Sequence, residues 1–217
     1  MNQTQVWDDP IDTPRRLKEL RLTEDILLLA VQQGQAASAN CTTNHPALYR
    51  GIVPWGETMR SLRESLIPES WKCLDENNQP YVVNKVGTLA ITVATGDEDV
   101  GCKGKNPSTK SSKGPQTEIA IANNSLANTL YGDIRTPERK KVESRLTWVL
   151  LFYRDEEKSE TRCELSLPSR MNSDKQIDEW TERIILRPIP FSGSSIKISD
   201  EPAPQMPEIK IDIKRRA

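Results

Sequence analysis

The apolar positions of this chain follow two rhythms. Trp55, Met59, Leu62 and Leu66 recur at helical spacing, with Glu57, Arg60, Arg63 and Glu64 on the other faces. Pro68 then predicts the stop. Upstream, Thr23, Glu24 and Asp25 set a cap and two acids ahead of an apolar stretch, which predicts a helix over 23–38 with Gly34 as its weak point. Thr13 before Pro14 reads as an earlier helix start with Thr13 as the cap. Residues 40–54 read as loop.

The second rhythm has period two. Leu89, Ile91 and Val93 alternate with Thr88, Ala90, Thr92 and Ala94, which predicts a strand over 88–95. Gly87 predicts a hairpin back to a strand over 81–86, and residues 75–80 carry a turn signal. Residues 146–154 are nearly unbroken apolar, the mark of a central strand buried on both faces. A returning strand over 162–167 is expected to close at Pro168. Ser173 is expected to cap a short helix over 174–181, and a strand over 184–186 to end at Pro188 and Pro190. Residues 117–131 fit both periods; Ile119, Ala122, Leu126 and Leu130, followed by Gly132, favour helix. Residues 135–145 read as a charged connector and 194–199 as a short strand. Ile209, Ile211 and Ile213 alternate with charged residues, as an edge strand does.

Together these elements predict an α+β fold: a mostly antiparallel sheet of about 5–7 strands, two N-terminal helices and helices between hairpins. One domain is expected over 1–195, with its helical part over about 14–68. Residues 196–217 read as an extension that adds an edge strand in this molecule or another.

Composition narrows the function classes. Of 217 residues, 35% are hydrophobic and 28% charged, a balance suited to a folded chain. The longest apolar runs, 26–31 and 148–153, fall far short of the roughly 20 residues of a membrane span. The acidic start lacks an apolar core, so no secretory leader is expected. One histidine excludes histidine-rich metal centres and leaves little room for a histidine-based triad. Cys41, Cys73, Cys102 and Cys163 form no CxxC pair and read as reduced thiols. Cys41 and His45 lie four apart but have no second ligand pair, so they read as loop residues. The net charge of -1 hides an asymmetry. Residues 1–100 hold 9 Lys+Arg against 14 Asp+Glu, and residues 101–217 hold 21 against 17. That is short of a dedicated DNA-binding face.

Candidate chemistry gathers after the 88–95 strand. Asp97, Glu98 and Asp99 are adjacent carboxylates that suit a hard cation, although they lack EF-hand spacing and adjacent acids in a loop are more often simply solvated. Lys103, Lys105, Lys110, Ser111, Lys113 and Gly114 follow in a long polar loop ahead of the 117–131 helix. Small residues let backbone N–H groups approach a phosphate, and lysines neutralise it. The spacing is not that of a Walker loop. Arg183 joins this set as a further cation and as the expected ion-pair partner of Glu164. A metal-dependent nuclease would use Asp97, Asp99 and Glu164. The Glu208-Ile209-Lys210 and Asp212-Ile213-Lys214 strings supply only the second half of that motif. Trp148 and Trp180 read as core.

Four strings taken together, Ala94-Thr95-Gly96-Asp97-Glu98, Ser111-Ser112-Lys113-Gly114-Pro115, Glu164-Leu165-Ser166-Leu167-Pro168 and Trp180-Thr181-Glu182-Arg183-Ile184, resemble a family of bacterial proteins of similar length and unknown function. The resemblance covers most of 20–190. It implies a bacterial cytoplasmic setting and a link to mobile elements or phage response, and it carries no activity, cofactor or catalytic residue.

The first functional expectation is therefore a non-enzymatic accessory or regulatory protein that binds another protein, nucleic acid or both. One alternative is a phosphate-ligand binder, for nucleotide or nucleic acid, using the 103–113 loop. A metal-dependent nuclease is the other. No cofactor and no membrane partner are expected.

Overall fold

A computed structural model describes residues 4–130 and 145–191. Its elements run β1 (Gln5–Trp7), α1 (Asp12–Glu19), α2 (Glu24–Ala39), α3 (Ala47–Leu66), β2 (Lys72–Glu76), β3 (Gln79–Val83), β4 (Leu89–Thr95), α4 (Pro115–Leu130), β5 (Leu146–Asp155), β6 (Glu160–Met171), β7 (Ile177–Ile185) and β8 (Ile189–Pro190). The eight strands form one mixed sheet in the order β1-β7-β6-β5-β4-β3-β2, with β8 also on β6. Most neighbours are antiparallel, as expected. The pairs β4–β5 and β1–β7 are parallel and were not expected. The parallel β4–β5 pair follows from α4, because a helix between neighbouring strands returns the chain to its starting edge.

β5 lies inside the sheet between β4 and β6. Its alternation splits the core in two. Trp148, Leu150 and Phe152 join a cluster with Leu17 of α1, Leu27 and Val31 of α2, and Met59, Leu62 and Leu66 of α3. Val149 and Leu151 face the other way, toward Ile121 of α4, Ile177 and Trp180. The sheet is thus sandwiched between α1–α3 and α4, which is why β5 reads as apolar at nearly every position.

Several local expectations need correction. Helix α1 starts at Asp12, and Asp9 accepts from the Ile11 and Asp12 N–H groups, so Thr13 is not its cap. Thr23 does cap α2, accepting from Ile26 N–H. Half of the expected 40–54 loop belongs to α3, which makes three N-terminal helices and places Pro54 inside the third. Proline there removes one N–H bond of the helix. Gly34 is a contact point: a Cβ on it would lie 2.1 Å from Thr58 Oγ1 and 2.5 Å from the Pro54 carbonyl. An extra strand, β2, precedes the turn at Asn77 and Asn78, both of which have positive φ.

The helix expected over 174–181 is instead a turn and the start of β7. Asn172 Oδ1 takes the Asp174 and Gln176 N–H groups and folds the chain back. Ile177 and Trp180 sit at helix-like spacing, yet the β6–β7 register shifts after Leu167 and puts both in one cluster. β6 continues through Pro168 at that irregularity. Residues 135–144, the 194–199 strand and the 209–213 strand lie outside the described residues. Among the described residues no helix is long and apolar enough to cross a membrane.

Candidate anion-binding cleft

The loop after β4 is pinned to the sheet at both ends. In its first half, Glu164 on β6 is fully buried and forms an ion pair of 2.6 Å with Arg183 on β7, itself 2% exposed. Glu164 also accepts from Gly101 N–H at 2.8 Å and Ser166 Oγ at 2.7 Å. Arg183 donates to the carbonyls of Lys105 and Cys102. The Asp97 carboxylate accepts from the Ser108 and Asp99 N–H groups. Burial pushes this carboxyl above its usual range, outweighing the hydrogen bonds that pull it down. In the second half, Lys110 N–H donates to Thr95, Thr109 N–H to Ile177 and Lys113 N–H to Lys175.

This pinning divides the four lysines. Lys103 pairs with Asp8 at 2.7 Å and Lys105 with Asp99 at 3.9 Å. Lys110 and Lys113 have no ion-pair partner among the described residues. Both line a cleft of about 560 Å³ at the carboxyl ends of the parallel strands β4 and β5. Open sheets commonly bind ligands beyond such strand ends. Lys110 is exposed; Lys113 is partly buried, and desolvation lowers its ammonium pKa from the ordinary lysine value.

A proline stands where the β3–β4 ladder ends. Val82 pairs with Ile91, and Asn84 N–H donates to Leu89, so the next ladder position sets Pro80 opposite Val93. Pro80 has no N–H to give. The ladder ends there, and the Val93 carbonyl accepts the Trp55 indole N–H at 3.0 Å. Nearby lies a smaller chamber of about 220 Å³, lined by Gln79, Thr92, Ser112, Gly114 and Thr117 among others. Lys113, Trp55 and Ala94 border both chambers. Among the described residues, neither Ser111 nor Ser112 gives its N–H to a backbone carbonyl.

Of the residues singled out by sequence, Lys110, Ser111, Lys113 and Gly114 line these chambers. Lys103, Lys105 and Arg183 do not. The structure adds Arg50, Trp55 and Arg154 to the larger chamber. Arg154 is engaged by Glu156 and Gln35 and lies over the Phe191 ring. The sequence marked Trp55 only as the first apolar position of the α3 stripe; its place in the chamber wall depends on the distant Val93 carbonyl.

The carboxylates proposed for a cation are engaged elsewhere. Asp97 holds backbone N–H groups, Asp99 faces Lys105, and Glu164 is committed to Arg183. Among the described residues no three His, Cys, Asp or Glu side chains gather as a metal site would require. His45 stacks on Tyr49 and accepts from Thr42 N–H, and Cys41 donates to the Ala37 carbonyl. A second cleft of about 640 Å³ lies between α1 and β6. Its arginines are paired, Arg187 with Glu24 and Arg162 with Asp155.

No protein-family model, curated protein or solved structure matches this chain.

Proposed function

We propose that this protein binds a phosphate-bearing ligand in the cleft at the ends of β4 and β5, with Lys110 and Lys113 as the neutralising cations. The observation that carries this reading is Lys113. Its side chain is partly buried and borders two chambers, with no carboxylate paired to it among the described residues. A partly desolvated cation without a partner is less favourable than a free one, and an anion relieves that cost. The Ser111 and Ser112 N–H groups and the start of α4 add positive potential on the same side.

The reading commits to binding and assigns no reaction. It favours the phosphate-ligand alternative over the accessory-protein expectation, because the described residues supply a cleft with unpaired cations. The nuclease alternative finds less support, since Asp97 and Glu164 hold other partners.

The test is calorimetric titration with pyrophosphate, adenosine diphosphate and a short single-stranded oligonucleotide. Wild type and the Lys110→Ala/Lys113→Ala double variant are compared. A charged hydrogen bond contributes about 1.5–3 kcal/mol, so losing one weakens binding roughly tenfold to a hundredfold. If none of the three binds, or the double variant binds them as wild type does, the reading is wrong.

A further inference from the structure

The apolar stripe of α3 does not end where the core ends. Met59, Leu62 and Leu66 are buried in the main cluster. Leu48, Gly51, Ile52 and Trp55 continue toward the N-terminus of the helix at i, i+3, i+4 and i+7, the spacing of one helical face. All four line the larger chamber. Leu48 is 74% exposed and Ile52 48%, so the described residues leave this part of the stripe open to solvent. Gly51 has nothing within 4 Å of its Cβ position, which leaves a shallow strip between the two aliphatic side chains.

An exposed apolar strip beside unpaired cations calls for a ligand of mixed character. Its anionic end meets Lys113 and the Ser111 and Ser112 N–H groups. Its other end must be flat and weakly polar to lie along Leu48 and Ile52. A cleft of about 560 Å³ falls within the size range of sites for small ligands. Bare phosphate or pyrophosphate leaves the strip wet. A polymer extends past a chamber of this size.

We infer that the occupant is a single nucleoside phosphate, its phosphates at Lys113 and its base on the Leu48–Ile52 strip of α3. This inference rests on the phosphate-binding reading and narrows it to one ligand class. Lys113 supplies the charge recognition. The strip distinguishes a nucleotide from other anions by burying the face of a base that inorganic phosphates lack.

The experiment compares adenosine diphosphate with pyrophosphate on wild type, Leu48→Ser and Ile52→Ser. Both side chains are largely exposed, so the fold tolerates their loss; a circular-dichroism melt checks this. Trp55 borders both chambers, so tryptophan fluorescence supplies a second readout of occupancy. The expected result is that adenosine diphosphate binds at least tenfold tighter than pyrophosphate. Either serine variant should remove most of that advantage and leave pyrophosphate affinity unchanged. Equal affinity for the two ligands overturns the inference and leaves phosphate binding intact, as does tighter binding of a single-stranded oligonucleotide than of the nucleotide. Binding that is insensitive to both serine variants also overturns it. Absence of binding by every ligand defeats the underlying reading.

Discussion

The Glu164–Arg183 pair gives the sharpest test of how the cleft is held in place. Both side chains are almost completely buried and joined at 2.6 and 2.9 Å, and the pair anchors the first half of the loop through Gly101 N–H and the Lys105 and Cys102 carbonyls. Glu164→Gln keeps the shape and removes the charge, leaving a guanidinium without a counter-ion. Breaking such a buried pair from one side costs about 3–5 kcal/mol. For a chain of this size that corresponds to a fall in Tm of roughly 6–20 °C. Urea unfolding followed by tryptophan fluorescence measures it. The double change Glu164→Leu/Arg183→Met removes both charges at once. It also strands the Gly101 N–H, the Ser166 hydroxyl and two loop carbonyls, at about 1–3 kcal/mol for each unsatisfied group. Its loss should therefore equal or exceed that of Glu164→Gln, which keeps an acceptor for Gly101 and Ser166. A loss below about 1 kcal/mol for the single variant would refute the argument that charge compensation holds this loop.

Two further outcomes follow from packing and from titration. Gly34→Ala drives a Cβ into Thr58 Oγ1 and the Pro54 carbonyl, and overpacking between α2 and α3 should cost about 1–3 kcal/mol or more in urea unfolding. An unchanged midpoint would mean that the two helices separate freely. Lys113 has a folded-state pKa below its unfolded value, so between the two the unfolded chain carries more protons and stability rises with pH. Lys113→Met should therefore be at least as stable as the empty wild type near neutral pH and should flatten that rise, as thermal melts across alkaline pH will show. Anion affinity should move oppositely, falling as Lys113 loses its proton. A variant clearly less stable at pH 7 would make Lys113 a structural residue.

The parts of the fold set by local pattern were legible in the sequence. The unbroken run of β5 announced a central strand, Thr23 announced α2, and Asn84 with Gly87 sits where the hairpin was expected, Asn84 Oδ1 taking three N–H groups there. What distant contacts decide was not legible. Ile177 and Trp180 carry helical spacing, and only the irregular pairing of β6 with β7 makes them strand residues. Pro54 resembles a helix breaker until its neighbours on α2 are in place. In the cleft, the loop lysines stood out by composition, but their separation did not. Asp8, near the start of the chain, engages Lys103, while Asp99 faces Lys105. No local rule distinguishes those two from Lys110 and Lys113. Pro80 was visible, yet its effect depends on standing opposite Val93 across a ladder whose register only the fold supplies.

That division of lysines bears on how a loop rich in glycine and serine can bind anything well. A mobile loop loses much of its interaction energy to ordering when a ligand arrives. Here that ordering accompanies folding itself. Glu164, Arg183 and Asp97 hold the first half, and three backbone bonds to β4, to the start of β7 and to the turn before it hold the second. Lys113 is thereby fixed at the border of two chambers, with its own N–H bonded to the Lys175 carbonyl. At the other wall, Pro80 stands opposite Val93 without an N–H to give, and the Trp55 indole takes the Val93 carbonyl and borders both chambers. The interrupted ladder thus accounts for where Trp55 is held, and the loop's own bonds account for where Lys113 is held. Pro80→Val supplies the missing N–H, which should compete with the Trp55 indole for the Val93 carbonyl and shift the tryptophan emission; unchanged emission would mean that the proline is not what hands this carbonyl to Trp55.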